Sequence, residues 1–187
     1  MLLLLAVRVQ AGSLEAGALG QRGSAHEHGV SELNVAVIGD VIEVSLVSPS
    51  INLVGFERTA SSKAEIEAVA SLKKTLESAA TLFNFGAAMC RNISASVDVG
   101  GLLDRDEAGD VHSHSQSHDH GERHEEKHYD VSAIYQFQCA AAAKIAFLKV
   151  DLFDAFAGIQ EVNVLWLTEI RQGRKVTSAK DRKVVFE

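Results

Sequence analysis

Residues 32–48 read ELNVAVIGDVIEVSLVS, and this stretch decides the fold. Leu33, Val35 and Val37 alternate with Glu32, Asn34 and Ala36, and Ile42, Val44 and Leu46 alternate with Glu43 and Ser45. A period of two marks strands that bury one face. Gly39-Asp40 between the runs suits a tight two-residue turn. The stretch therefore predicts an antiparallel hairpin, apolar on one face, that must pack against another part of the chain.

Working outward, Pro49 stops the second strand, and residues 51–56 (INLVGF) form an apolar connector. Ser62-x-x-Glu65 is a capping-box pattern. Ile66, Val69, Leu72, Leu76, Ala79, Ala80 and Phe83 follow at helical spacing. They predict an amphipathic helix over residues 62–83, the natural cover for the hairpin's apolar face. Alternation returns at residues 93–99 and 131–138, which read as the two legs of a large antiparallel hairpin. Residues 145–150 read as a strand, 151–157 as a helical turn, and 162–167 as a central strand apolar on both faces. Gln172-Gly173 reads as a turn and residues 183–186 as an edge strand. The expectation is an α+β fold: a mostly antiparallel sheet covered by one long amphipathic helix, with a long His-rich loop insertion.

That insertion, residues 102–129, carries the chemistry. Residues 111–129 read VHSHSQSHDHGERHEEKHY and hold His112, His114, His118, His120, His124 and His128, six of the eight histidines in the chain. His26 and His28 precede the first strand. Imidazole is the commonest metal ligand among side chains, and a tract this dense reads as a site for divalent metal. His112-x-His114 and His118-x-His120 are close pairs that a bent segment brings around one ion. His120, His124 and His128 share a face if that stretch turns helical. Asp119, Glu122 and Glu125 are additional oxygen donors or acceptors for imidazole N–H. With no cysteine in the tract, donor softness favours Zn(II), then Ni(II) or Cu(II), over Cu(I). The alternative is a solvated acidic loop that binds nothing. Six imidazoles in seventeen residues weigh against it.

Cys90 and Cys139 fall at the base of the large hairpin, opposite each other. No CxxC occurs, so zinc-ribbon and thioredoxin readings fail. A disulfide here would close a loop of about 50 residues, worth roughly 4 kcal/mol in the chain-entropy model. Two buried free thiols are the other reading. The 187 residues carry a net charge of −7, against the basic patches that nucleic acid requires. No apolar run has the length of a membrane span. Residues 1–25 read as a degenerate or truncated export signal, leaving residues 26–187 as one metal-binding domain. No HExxH helix, GxSxG elbow or phosphate-binding glycine loop occurs, so the chain reads as a non-enzyme.

His26-Glu27-His28-Gly29, residues 32–57 (ending SPSINLVGFE), Cys90, the His-rich insertion, residues 135–139 (YQFQC) and residues 151–158 (DLFDAFAG) together resemble the ZrgA-type family. These are periplasmic zinc-binding proteins linked to zinc uptake. The resemblance implies an exported zinc buffer or metallochaperone, with a zinc uptake transporter component as partner. It also implies His26, His28 and the six loop histidines as ligands, and Cys90–Cys139 as the family's disulfide. Arg58 stands where the resemblance leads one to expect a histidine. The competing function is an envelope protein-interaction module in which metal only orders the loop.

Overall fold

The structure is a computed structural model and describes residues 27–103, 129–141 and 144–186. The elements run β1 (Val30–Ile38), β2 (Val41–Pro49), α1 (Ile51–Val54), α2 (Lys63–Glu77), β3 (Phe83–Asn84), β4 (Cys90–Asp98) and β5 (Asp130–Cys139). Then come β6 (Phe147–Val150), α3 (Leu152–Ala155), β7 (Glu161–Leu167), β8 (Gln172–Ser178) and β9 (Lys183–Val185).

The expected hairpin is present. β1 and β2 pair antiparallel with Leu33 opposite Leu46 and Val35 opposite Val44. It forms the middle of a six-stranded sheet ordered β4-β5-β2-β1-β7-β8. All its pairs are antiparallel except β1–β7, which runs parallel. One face carries the buried set: Leu33 and Val35, Ile42, Val44 and Leu46, Val131, Ala133, Tyr135 and Phe137, Val162, Val164 and Trp166. The other face keeps Glu32, Asn34 and Glu43 toward solvent, with Ile134, Leu165 and Leu167 about half-exposed.

The expectation of an α+β fold with one long helix laid over the sheet is overturned. Among the described residues the chain is mostly β, and only one helix reaches seven residues. α2 begins where the capping box places it: the Ser62 hydroxyl accepts from Glu65 N (3.3 Å), and Glu65 Oε2 accepts from Ser62 N (3.1 Å). It ends at Glu77, because Ser78 leaves the helical region and a short 3-10 turn follows at Ala79–Thr81. Phe83, the last residue of the expected stripe, lies in a strand. Only Val69, Leu72 and Leu76 on α2 are buried, and Ile66 is 48% exposed. Three apolar side chains cannot cover six strands.

A second sheet of order β3-β6-β9 supplies cover. Its residues Phe83, Leu148, Val150 and Val184 are buried with the first sheet's apolar face in one core. Edge-to-face contacts join them: Phe83 to Tyr135 at 5.2 Å and Phe85 to Phe137 at 5.0 Å between ring centroids. Such pairs add to simple area burial. The turn expected at Gln172-Gly173 is instead the start of β8. The reversal lies just before it, where the Thr168 hydroxyl accepts from Arg171 N (3.0 Å) and Thr168 N donates to Arg171 O (2.7 Å). β8 is charged and without clean alternation because it is an edge strand, so its apolar signal is weak.

Tyr135 is fully buried, and its hydroxyl has no hydrogen-bond partner among the described residues. Burial pushes the phenol above its ordinary pKa. An unpaired buried hydroxyl costs free energy rather than supplying it. Tyr135→Phe is therefore expected to leave stability unchanged or raise it by about 1 kcal/mol in urea unfolding. A loss of that size would show that the hydroxyl is bonded.

Candidate metal centre

The strand register gathers five chain segments at one end of the six-stranded sheet. Val30 begins β1 beside Glu161, which begins β7. Pro49 ends β2 opposite Asp130, which begins β5, and Asp98 ends β4 opposite Ser132. At this end the described chain leaves off at Leu103 and resumes at Tyr129. The other end of the β4–β5 pair holds Cys90 directly opposite Cys139, joined as a disulfide (S–S 2.05 Å).

Residues 50–60 bind this gathering together. The Asn52 side chain is 4% exposed; its Oδ1 accepts from Gly29 N (2.7 Å) and its Nδ2 donates to Val30 O (2.9 Å). Behind it Ser31 and Ser48 share a buried hydroxyl pair at 2.8 Å. Ser50 N donates to Tyr129 O (3.0 Å). Thr59 Oγ1 donates to Gly101 O (3.0 Å), and Ala60 N donates to Leu102 O (2.8 Å). One segment thus grips the lead-in to β1 and both flanks of the His-rich stretch. Gly158 lies so close to the Asn52 backbone that a Cβ there would collide with it, so DLFDAFAG and SPSINLVGFE meet at this point.

Of the eight histidines, His28 alone is among the described residues. His26, His112, His114, His118, His120, His124 and His128 lie outside them, as do Asp119, Glu122 and Glu125. His28 is exposed, and its Nε2 stands 3.5 Å from Glu57 Oε2. No group of three or more His, Cys, Asp or Glu that could hold a metal occurs among the described residues. Glu57 belongs to the quoted GFE motif, but a single carboxylate beside an apolar connector gives a sequence reading no reason to assign it a role.

Arg58, in place of the histidine the resemblance suggests, is committed elsewhere. Its guanidinium pairs with the Glu65 carboxylate, donates to Ser61 Oγ (3.4 Å) and lies over the Phe56 ring at 5.3 Å. The Arg58 hydrogen bond and the backbone N–H groups of Ser61 and Ser62 hold the Glu65 carboxyl well below the usual carboxylate range. A depressed carboxyl contributes stability that is present above its unfolded pKa and lost only as pH falls toward the folded value. This bracing of the α2 start therefore persists across neutral and mildly acidic pH.

A family model described as ZrgA family zinc uptake protein matches residues 25–186. The chain belongs to the ZrgA family of zinc uptake proteins. No relative is matched among curated proteins. The family match runs through the β1 lead-in, the 50–60 clamp, both flanks of the His-rich stretch and the disulfide, so these features lie within the zinc uptake family's own span. No helix among the described residues is long and apolar enough to cross a membrane.

Asn52 is the residue on which this end depends. Asn52→Ala leaves Gly29 N and Val30 O without their partner, and each orphaned buried group costs about 1–3 kcal/mol. The expected result is a loss of about 2–4 kcal/mol in urea unfolding. A change below about 1 kcal/mol would mean that water replaces the amide at little cost.

Proposed function

We propose that this protein is an exported, periplasmic zinc-binding protein that buffers zinc or passes it to an uptake system, and that it acts by binding rather than by chemistry. Zinc is its cargo. Residues 26–187 form the metal-binding domain, and residues 102–129 are a His-rich insertion within it. The ligands are drawn from His26, His28, His112, His114, His118, His120, His124 and His128, with Asp119, Glu122 and Glu125 as supporting oxygen donors. The observation that carries this reading is the clamp at residues 50–60. It ties the backbone beside His28 and both flanks of a segment with six histidines to one end of a zinc uptake family fold. Ligands from two distant parts of the sequence then start from neighbouring anchor points.

Three further features support it. A net charge of −7 favours cation capture. The Cys90–Cys139 disulfide fits an oxidising compartment. Imidazole ligands without cysteine suit zinc that must later be released, and Ni(II) or Cu(II) would compete for the same nitrogens. A zinc uptake transporter component is the recipient this reading implies.

Calorimetric titration with Zn(II) at neutral pH is expected to show that removing residues 111–128 abolishes most of the binding. Near-equal binding by the full chain and the shortened variant would overturn the assignment. Only unprotonated imidazole ligates, so affinity is expected to fall as pH drops below about 6.5. An affinity unchanged between pH 7.5 and 5.5 would exclude histidine as the main donor.

A further inference from the structure

We infer that His28 Nε2 and Glu57 Oε2 form a preorganised half-site for a divalent metal ion, with Glu57 as a direct oxygen ligand. The inference rests on the zinc-binding reading above and adds a residue and a donor geometry to it. Zinc binds imidazole nitrogen at about 2.0–2.1 Å and carboxylate oxygen at about 2.0–2.2 Å in a tetrahedral arrangement. Two donors on one such ion stand about 3.3–3.5 Å apart, the edge of that tetrahedron. The His28 Nε2–Glu57 Oε2 separation is 3.5 Å. That is long for a charge-assisted N–H···O bond, which favours about 2.7–2.9 Å. The spacing suits two donors converging on one ion better than a closed hydrogen bond.

Both donors are carried by backbone that is fixed without the metal. Gly29, next to His28, has φ +88, a conformation that side-chain-bearing residues rarely adopt. Its N–H is held by Asn52 Oδ1 (2.7 Å), and its carbonyl accepts from Gln160 N (2.7 Å) and Glu161 N (3.0 Å). On the other side, the Phe56 carbonyl accepts from Ser50 Oγ (2.8 Å). Arg58, the residue after Glu57, is bound to Glu65, Ser61 and the Phe56 ring. Glu57 therefore sits between two anchored neighbours. The nearest cation in sequence is already neutralised by Glu65 rather than turned on the metal position. Ligands held by locked supporting residues bind with less ordering cost than ligands on free chain.

The half-site is open. His28 has 64% and Glu57 35% of its side chain exposed, so water or further ligands can complete the coordination. Two protein donors in an exposed position give weak, rapidly exchanging binding. That suits a first contact or a hand-over position at the rim of the domain.

The test is a Zn(II) titration of the full chain followed by ¹⁵N-detected imidazole NMR, on wild type and on Glu57→Gln. Both side chains are exposed, so the substitution leaves the core intact. In wild type the His28 Nε2 resonance is expected to take on the shift of a metal-bound nitrogen. In Glu57→Gln the zinc concentration needed for that change is expected to rise about tenfold or more, since even residues that only support a ligand cost 10–100-fold when lost. Other imidazoles are expected to titrate as before. Coordination through Nδ1, or an unchanged His28 titration in Glu57→Gln, would overturn the half-site while leaving zinc binding by the other histidines in place. A wild-type chain in which no imidazole responds to zinc would overturn the zinc-binding reading itself.

Discussion

The carboxamide of Asn52 is buried, and a polar group taken out of water without partners costs several kcal/mol. The protein meets that demand by bringing the lead-in to β1 up against α1, so that Gly29 N and Val30 O face the amide. Once that contact is made, little freedom remains nearby. The Ser31–Ser48 hydroxyl pair closes the space behind it. The backbone of Asn52 comes against Gly158. The same segment then bonds to Tyr129, Gly101 and Leu102. A short apolar connector becomes the point where five parts of the chain are fixed relative to one another.

The result is a molecule with two different ends. At one, β4 and β5 are joined covalently through Cys90 and Cys139, where the pairing is closed and needs no ligand. At the other, the same two strands lead into residues 104–128, and the 50–60 clamp holds their flanks beside the backbone that carries His28. A disulfide and a hydrogen-bonded clamp thus anchor opposite ends of one strand pair. The proposed capture site needs a rigid base, and the clamp fixes the attachment points on both flanks of the histidine-bearing stretch.

Much of this was legible in the sequence, for definite reasons. The β1–β2 hairpin declared itself because one face of it is buried, and burial enforces alternation at Leu33, Val35, Ile42, Val44 and Leu46. The start of α2 was legible because Ser62 and Glu65 satisfy each other's backbone. The opposition of Cys90 and Cys139 followed from pairing two alternating segments. The end of α2 was not legible: Ala79, Ala80 and Phe83 continue a helical period by coincidence, while Phe83 belongs to a two-residue strand. Of the covering sheet, β6 and β9 were legible as the strands at residues 145–150 and 183–186, but β3, only two residues long, and the pairing of the three into one sheet were not. β8 was hidden by its charge. In the candidate site, histidine density is a compositional signal and visible at once. Asn52 and Glu57 are single polar residues whose meaning lies only in what faces them.

The central claim is that zinc is handled at the clamp end of the sheet and not at the disulfide end. Backbone amide NMR of the full chain during a Zn(II) titration tests it most directly. The account predicts that, outside residues 104–128 themselves, the earliest and largest shifts fall at residues 27–30, 50–60, 99–103 and 129–131, with residues 38–41, 89–91 and 139–141 unmoved. Shifts concentrated around Cys90 and Cys139, or the absence of any response at residues 27–30 and 50–60, would contradict it.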